Sequence, residues 1–151
     1  MKTRILLFED EHSIRRPLCV FLRARGYEVL DFPSPMTCTL VTEQKCVCSR
    51  ERACADLVIT DMKMPGMTGL ELIRMMAEKG CHASTREKIV ISSGLTPEQA
   101  VELRTLGCHF LPKPFQGEEL LALIQVCEKH IPPDRELVPV EELWKTVRNH
   151  Q

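Results

Sequence analysis

A short apolar run that ends on a single carboxylate constrains the fold of this chain most. Residues 57–69 read LVITDMKMPGMTG. The run before Asp61 has the near-continuous apolar character of a strand covered on both faces, and a loop with proline and glycine follows it. Ligands of open parallel sheets bind just beyond the carboxyl ends of the strands. Asp61 is therefore a candidate site residue, although an aspartate there can equally be a loop or helix-capping residue.

The same strand-then-helix pattern recurs along the chain. Strands are predicted at residues 4–8, 27–30, 57–60, 88–92 and 108–111, and helices at 13–26, 70–79, 96–107 and 117–130. Residues 36–55, after the second strand, are irregular and rich in cysteine, and a short helix is predicted only in their first part. Five consecutive βα units predict an α/β fold with a doubly wound, five-stranded parallel sheet and helices on both faces.

Sequence signals for the starts and ends of helices support this division. Ser13 is predicted to cap the first helix, and Thr96 with Pro97 and Gln99 has the pattern of a capping box. Gly26 and Gly107 are predicted to end the helices that precede them.

Length and composition favour one compact domain. The chain has 151 residues, of which 44% are hydrophobic and 27% charged. We predict a domain over residues 1–130, including the segment 36–55, and a C-terminal tail over 131–151. Four apolar residues of the tail share a helical spacing and predict one short amphipathic helix: Val140, Leu143, Trp144 and Val147.

Charge and hydropathy exclude several partner classes. The net charge is −1 and no basic run is present, so no nucleic-acid surface is predicted. No apolar segment approaches the roughly 18 residues of a membrane span, and the start of the chain has no signal-peptide pattern. We expect a cytoplasmic protein whose eight cysteines are not paired in structural disulfides.

Polar residues follow four of the predicted strands, and a doubly wound sheet brings those strand ends to one edge. They are Glu9 and Asp10 after the first strand, Asp61 after the third, Ser92 and Ser93 after the fourth, and Lys113 after the fifth. Clustered carboxylates repel one another unless a cation joins them, and hard oxygen ligands suit Mg²⁺. Lys113 and a serine hydroxyl can take the oxygens of a phosphoryl group, with Asp61 as the nucleophile that forms an aspartyl phosphate.

On these residues the sequence resembles the receiver domain of response regulators, the two-component signalling family, over about residues 2–130. The resemblance rests on four segments in order at predicted strand ends: residues 5–11 (ILLFEDE), 58–69 (VITDMKMPGMTG), 91–94 (ISSG) and 110–115 (FLPKPF). It implies a flavodoxin-like or CheY-like (βα)5 fold with strand order 2-1-3-4-5.

The resemblance also implies a set of site residues. Asp61 matches the phosphoacceptor, and Asp10 matches the residue that binds Mg²⁺ directly. Glu9 stands where aspartate is commoner, and its longer side chain still reaches a metal-bound water. The main-chain carbonyl of Lys63 completes the protein ligands of the metal.

The remaining matches concern the switch. Ser93, followed by Gly94, matches the switch hydroxyl, with Ser92 as the second candidate. Lys113 matches the lysine that contacts the phosphoryl group, and Lys113-Pro114 is expected to be a cis peptide bond. Phe110 matches the aromatic switch position. The plainer alternatives are a solvated lysine, a turn serine and a core phenylalanine.

The family implies a function for the chain as a whole. We expect a single-domain response regulator that takes a phosphoryl group from a sensor histidine kinase onto Asp61 and is not an enzyme beyond self-dephosphorylation. The surface that responds comprises the helix at 96–107, the strand at 108–111 and the helix at 117–130. Its expected partner is a downstream protein or a phosphotransfer protein, because about twenty further residues are too few for a DNA-reading domain.

Two alternatives use other residues. Cys38, Cys46, Cys48 and Cys54 can hold zinc or an iron–sulfur cluster, pair in a redox response, or remain reduced thiols. The first two cases predict a metal- or redox-sensing interaction module. A phosphohydrolase would share the aspartyl-phosphate chemistry, but it needs a general acid two residues after its nucleophile, where this chain has Lys63.

Overall fold

The computed structural model describes residues 2–37, 52–79 and 87–143. The strands are β1 Arg4–Phe8, β2 Glu28–Phe32, β3 Leu57–Asp61, β4 Glu87–Ser92 and β5 His109–Pro112. The helices are α1 His12–Ala24, α2 Gly69–Glu78, α3 Pro97–Thr105 and α4 Gly117–Glu128, with a 3-10 turn at Pro35–Thr37. Residues 140–143 are also helical.

The five strands form one parallel sheet in the order β2-β1-β3-β4-β5, which confirms the predicted topology. At the carboxyl edge, Asp61 lies opposite Ile91 and Ser92 lies opposite Pro112. The residues that follow the strands therefore meet at one edge, as the βα pattern requires.

Alternate residues of each strand enter different cores, because successive side chains point to opposite faces of a sheet. One face packs under α1 and α4, with a buried cluster that includes Ile5, Leu7, Leu57, Ile59, Ile89, Ile91, Leu111, Leu120 and Ile124. The other face has two clusters: Leu6, Phe8, Val58 and Met76 belong to one, and Ile73, Val90 and Leu103 to the other. Both faces are covered, which explains the near-continuous apolar strands.

The start of the first helix differs from the prediction. The helix begins at His12 after an extended Glu11, whose carbonyl oxygen accepts from the amides of Ile14 (3.0 Å) and Arg15 (2.8 Å). Ser13 is thus already inside the helix and cannot be its cap, so that prediction was wrong. The Thr96 capping box is confirmed: the Gln99 amide donates to the Thr96 hydroxyl (3.1 Å), and the Thr96 amide donates to the Gln99 side chain (2.9 Å).

The second strand is longer than predicted. It continues past Leu30 to Phe32, whose ring stacks on Phe8 of the neighbouring strand with 5.2 Å between centroids. This contact is tertiary, so the local sequence could not reveal it. The glycines behaved as predicted, since Gly26 and Gly107 have positive φ just after α1 and α3.

The described part of the C-terminal segment packs against the sheet. The amide of Val138 donates to the carbonyl of Ala53 (2.9 Å), and Val138 is buried. Val140 and Leu143 pack on the cluster around Phe8, in keeping with the predicted amphipathic helix, while Trp144 and Val147 lie outside the described residues. Among the described residues, no helix has both the length and the apolar character that a bilayer crossing requires.

Candidate functional site

Asp61 is held rigidly at the centre of the carboxyl edge. It is the last residue of β3, and its side chain is 7% exposed. The next peptide is fixed on both sides, because the Met62 amide donates to Ile91 (2.8 Å) and the Met62 carbonyl accepts from the Gly69 amide (2.9 Å). The carboxylate is thus presented from a fixed backbone at a point where little water reaches it.

Two more carboxylates converge on Asp61. One oxygen each of Glu9, Asp10 and Asp61 can be chosen so that all three lie within 4.8 Å of one another. Glu9 is buried, and its carboxylate accepts the amide of Glu11 (3.1 Å). The predicted convergence of these three residues is therefore present in the structure.

The close approach of these three carboxylates is electrostatically unfavourable. Burial, followed by the charge of Asp61, raises the pKa of Glu9 to about 7, against the lowering effect of the Glu11 amide. Lys113 places its Nζ atom 2.8 Å from an Asp61 oxygen. Burial alone would lower the pKa of Lys113, but its hydrogen bond to Asp61 and the charges of Asp61 and Glu9 raise it, so the lysine is a cation here. One lysine faces three carboxylates.

This donor set fits a magnesium ion. Its groups are hard oxygens, and they are already close enough to share one cation. Burial, and then the charge of Asp61, raise the pKa of Glu9, and a bound cation would offset both effects. Asp10 is only half-buried, which leaves solvent access for the water ligands that Mg²⁺ retains. The Lys63 side chain is exposed, and the metal contact predicted for its main-chain carbonyl stays a prediction.

The two candidate switch serines have different surroundings. Ser92 is buried at the end of β4, and its hydroxyl donates to the carbonyl of Gly94 (2.8 Å). The carbonyl of Ser92 accepts the amide of Lys113 (2.9 Å). Ser93 is the first residue beyond the strand and is exposed. Neither serine is bonded to Asp61 in this state, so both switch assignments stay predictions.

Phe110 is half-buried and packs on the cluster that contains Val90 and Leu103, with Leu95 and Leu106 nearby. Its Cα partner in the sheet is Val90, two residues before Ser92. Phe110 thus connects the end of β4 with α3, and its position suits both a core and a switch residue. The Lys113-Pro114 peptide bond is cis, as predicted.

Arg15 and Gly69 also shape the site, and neither is among the residues predicted from the sequence. The Arg15 guanidinium donates to the main-chain carbonyl of Glu9 (2.7 Å) and to the Asp31 carboxylate (3.2 Å), which fixes the loop after β1. A methyl group on Gly69 would lie 2.4 Å from the Asp61 carbonyl oxygen. A glycine in the first turn of the helix that follows Asp61 was the available signal for this close approach.

Replacing Gly69 with alanine is expected to destabilise the protein by about 1–3 kcal/mol, because the added methyl group meets backbone that cannot rotate away. Urea unfolding of the variant measures the loss. Gly94→Ala is the matched control, since nothing lies within 4 Å of the methyl group it would add. Equal stabilities of the two variants would contradict a tight contact at Gly69.

The cysteines that the structure describes are free thiols. Cys19 and Cys127 are buried in the core, as predicted. Burial raises the pKa of Cys108 to about 11, and burial with the Glu87 charge raises that of Cys127 to about 12. These shifts disfavour thiolates that are not bound to a cation. Of the predicted cysteine cluster only Cys54 is described, half-buried. Cys38, Cys46 and Cys48 lie outside the described residues.

The fold and the site together define an α/β protein with an acidic centre at the carboxyl edge of a doubly wound sheet. The sequence matches the family described as "Response regulator receiver domain" over residues 5–125. The chain belongs to this family, which confirms the resemblance.

Similar proteins agree with this assignment. "Sensory transduction protein RegX3" of Mycobacterium tuberculosis is 28% identical over 124 residues, which are 82% of this chain and 49% of RegX3. The chain thus spans about half the length of that relative. The chemotaxis response regulator CheY4 of Vibrio cholerae superposes with a TM-score of 0.66 at 28% identity, covering 84% of this chain and 99% of CheY4. A response regulator receiver protein from Pseudomonas putida gives 0.67 at 27% identity, with 83% and 98% covered.

Proposed function

We propose that this chain accepts a phosphoryl group on Asp61 in a Mg²⁺-dependent reaction and signals by a change of surface. One observation carries the proposal: the Asp61 carboxylate is grouped with those of Glu9 and Asp10 and is 2.8 Å from the Lys113 ammonium. Phosphoryl transfer requires a nucleophile, a set of oxygen ligands for a cation, and a fixed positive charge.

In the proposed reaction an Asp61 oxygen attacks phosphorus of a phosphohistidine. The new O–P bond forms as the N–P bond breaks, and the imidazole leaves with the electron pair. Lys113 exchanges its contact with the Asp61 oxygen for a phosphoryl oxygen, so its charge remains where negative charge accumulates. Glu9, Asp10, Asp61 and the Lys63 carbonyl would hold Mg²⁺, which neutralises the carboxylates and the incoming phosphoryl oxygens.

The phosphodonor is proposed to be a sensor histidine kinase, as is general for receiver domains. The output is proposed to be contact with a downstream protein or a phosphotransfer protein through α3, β5 and α4. We further propose that the chain is a phosphoacceptor with at most self-dephosphorylation activity. Phosphohydrolases with this chemistry usually have a second acidic residue two positions after the nucleophile, and Lys63 at that position counts against such an activity.

The test is intact mass of the full chain after incubation with acetyl phosphate, with Mg²⁺ or with a chelator. A single phosphoryl adduct that requires Mg²⁺ and is removed by hydroxylamine, as acyl phosphates are, is expected. A folded chain that binds Mg²⁺ and yields no adduct would contradict the proposal for small donors, and a purified histidine kinase with its ATP would then replace acetyl phosphate. Absence of transfer from both donors would overturn it.

The serine that contacts the phosphoryl group can be inferred from the alternation of side chains between the two faces of β4. Ser93 was predicted from the motif, but Ser92 shares the face of Val90, and Val90 is the Cα partner of Phe110. A hydroxyl that couples Asp61 to Phe110 has to lie on that face. We therefore propose Ser92 as the coupling hydroxyl, which leaves its bond to the Gly94 carbonyl when the phosphoryl group arrives.

Two matched variants distinguish the serines. Ser92→Ala is expected to slow phosphoryl incorporation about tenfold. This loss is smaller than that for a lone oxyanion donor because Lys113 carries most of the stabilising charge. Ser93→Ala is expected to incorporate the phosphoryl group within about twofold of the wild-type rate. The measurement is the rate of adduct formation, with amide chemical shifts of α3 and β5 followed before and after phosphorylation. A larger loss in Ser93→Ala would return the role to Ser93.

A further inference from the structure

A second group of ligating side chains lies at the opposite, amino-terminal edge of the sheet. Glu87 is the first residue of β4 and His109 the first of β5, while Cys127 lies in the last turn of α4. A carboxylate oxygen, an imidazole nitrogen and the sulfur of these three residues lie within 4.8 Å of one another.

A second imidazole completes the group. His130 follows α4, and its Nδ1 atom lies 3.0 Å from one oxygen of Glu87. Nε2 of His109 lies 2.9 Å from the other oxygen of the same carboxylate. Glu87 therefore stands between two histidines, with the Cys127 sulfur beside them.

The backbone that carries these groups is already fixed. Glu128, between Cys127 and His130, accepts the Tyr27 hydroxyl (2.7 Å) and the Thr3 hydroxyl (2.9 Å), so the end of α4 is tied to the sheet. The His130 amide donates to the Cys127 carbonyl (3.0 Å). The backbone at this end of α4 is therefore held in place by hydrogen bonds.

The group is also accessible from one side. The Cys127 side chain is fully buried, and those of Glu87 and His109 are 21% and 28% exposed, whereas that of His130 is 60% exposed. An ion can therefore approach the cluster from the side of His130 and be bound against the buried Cys127 side chain.

We propose that Glu87, His109, Cys127 and His130 form a Zn²⁺ site. Two nitrogens, one oxygen and one sulfur are the donor types that zinc takes in four-coordinate sites, whereas Mg²⁺ prefers oxygen alone. Bonds of about 2.0–2.3 Å place the ligands of a tetrahedral ion roughly 3.3–3.8 Å apart. The ligand atoms of Glu87, His109 and Cys127, which lie within 4.8 Å of one another, would therefore approach by at most about 1.5 Å. Nδ1 of His130 is already 3.0 Å from Glu87.

The consequence is structural. The ion would join the starts of β4 and β5 to the end of α4 at the edge opposite Asp61. The inference does not depend on the phosphoryl chemistry, because the two sites share no residue.

The test is zinc binding by the full chain in a reductant that does not bind metal, measured by competition with a colorimetric zinc chelator. The wild type is compared with His109→Gln/His130→Gln, and His12→Gln is the matched control because His12 is an exposed histidine away from the cluster. All three proteins keep the eight cysteines, so zinc held by other thiols is common to them.

The double variant is expected either to bind one zinc equivalent fewer or to bind that equivalent at least about a hundredfold more weakly. Loss of even an outer-shell partner lowers metal affinity by about 10–100-fold, and the double variant loses two direct ligands. Zinc is also expected to raise the Tm of the wild type and of His12→Gln by more than that of the double variant. Equal zinc binding by the double variant and the control would overturn the proposal. If circular dichroism shows that the double variant does not fold, Glu87→Gln, which keeps size and hydrogen bonding, replaces it under the same two criteria.

Discussion

Replacing Asp61 with asparagine is expected to abolish phosphoryl incorporation, with a fall of at least about 10³-fold, the scale of losses on removal of a nucleophile. The amide has nearly the shape of the carboxylate but cannot attack phosphorus or share a metal as an anion. Intact mass after incubation with acetyl phosphate and Mg²⁺ measures the effect. The wild type should show one adduct and the variant none.

The matched control is Asp134→Asn, the same chemical change at an exposed aspartate away from the site. It should incorporate the phosphoryl group at the wild-type rate. A hydroxylamine-sensitive adduct that persists in Asp61→Asn would place the acceptor on Asp10 or Glu9, whose oxygens share the cluster. Circular dichroism of each protein separates loss of chemistry from loss of folding.

Much of this site follows from sequence because it depends on chain direction rather than on side-chain packing. Parallel strands end at a common edge, so polar residues after β1, β3 and β5 must meet there. Glu9, Asp10, Asp61 and Lys113 were predicted on that ground, and the structure brings them together.

What sequence could not supply depends on register and on distant contacts. Ser92 and Ser93 are adjacent, and only the last ladder pair, Ser92 with Pro112, shows where β4 ends. The proposal of Ser92 rather than Ser93 therefore depends on a register that the sequence does not reveal. A shift of one residue reverses the face on which each side chain lies. β2 likewise extends to Phe32 through a ring contact with Phe8, far away in the chain.

The cluster at the other edge of the sheet had even less signal. No motif would recognise the spacing of Glu87, His109 and His130 as that of metal ligands. His109, the first residue of β5, has Ile89 as its Cα partner, and Glu87 precedes Ile89 by two residues on the same face of the sheet. This neighbourhood depends on the strand register, which the sequence does not reveal. A chain of repeated βα units allows the prediction of a site whose residues all follow strands, because these strand ends share one edge of the sheet. The position of a helix end relative to that sheet cannot be predicted in the same way.

Replacing Arg135 with alanine is expected to lower the free energy of unfolding by about 3–5 kcal/mol, the cost of leaving one partner of a buried ion pair uncompensated. The Asp56 side chain is 0% exposed and that of Arg135 is 7% exposed. The guanidinium donates to both carboxylate oxygens at 2.9 Å, and the Arg4 amide donates to one of them at 3.0 Å. Urea unfolding measures the loss, with Arg16→Ala, an exposed arginine, as a control expected within about 0.5 kcal/mol of wild type.

A second variant separates the ion pair from simple packing. If the cost arises from the buried charge, adding Asp56→Asn to Arg135→Ala should recover part of the lost stability, because the amide removes the unpaired charge and still accepts the Arg4 amide. If the cost arises from lost contact area, the double variant should be no more stable than Arg135→Ala alone. Recovery would show that residues after α4 contribute electrostatically to the same folded unit as β1, to which Asp56 is bonded at its backbone and its side chain. A loss below about 1 kcal/mol in Arg135→Ala, the scale of an exposed pair, would instead mean that the segment carrying Arg135 separates readily from the sheet.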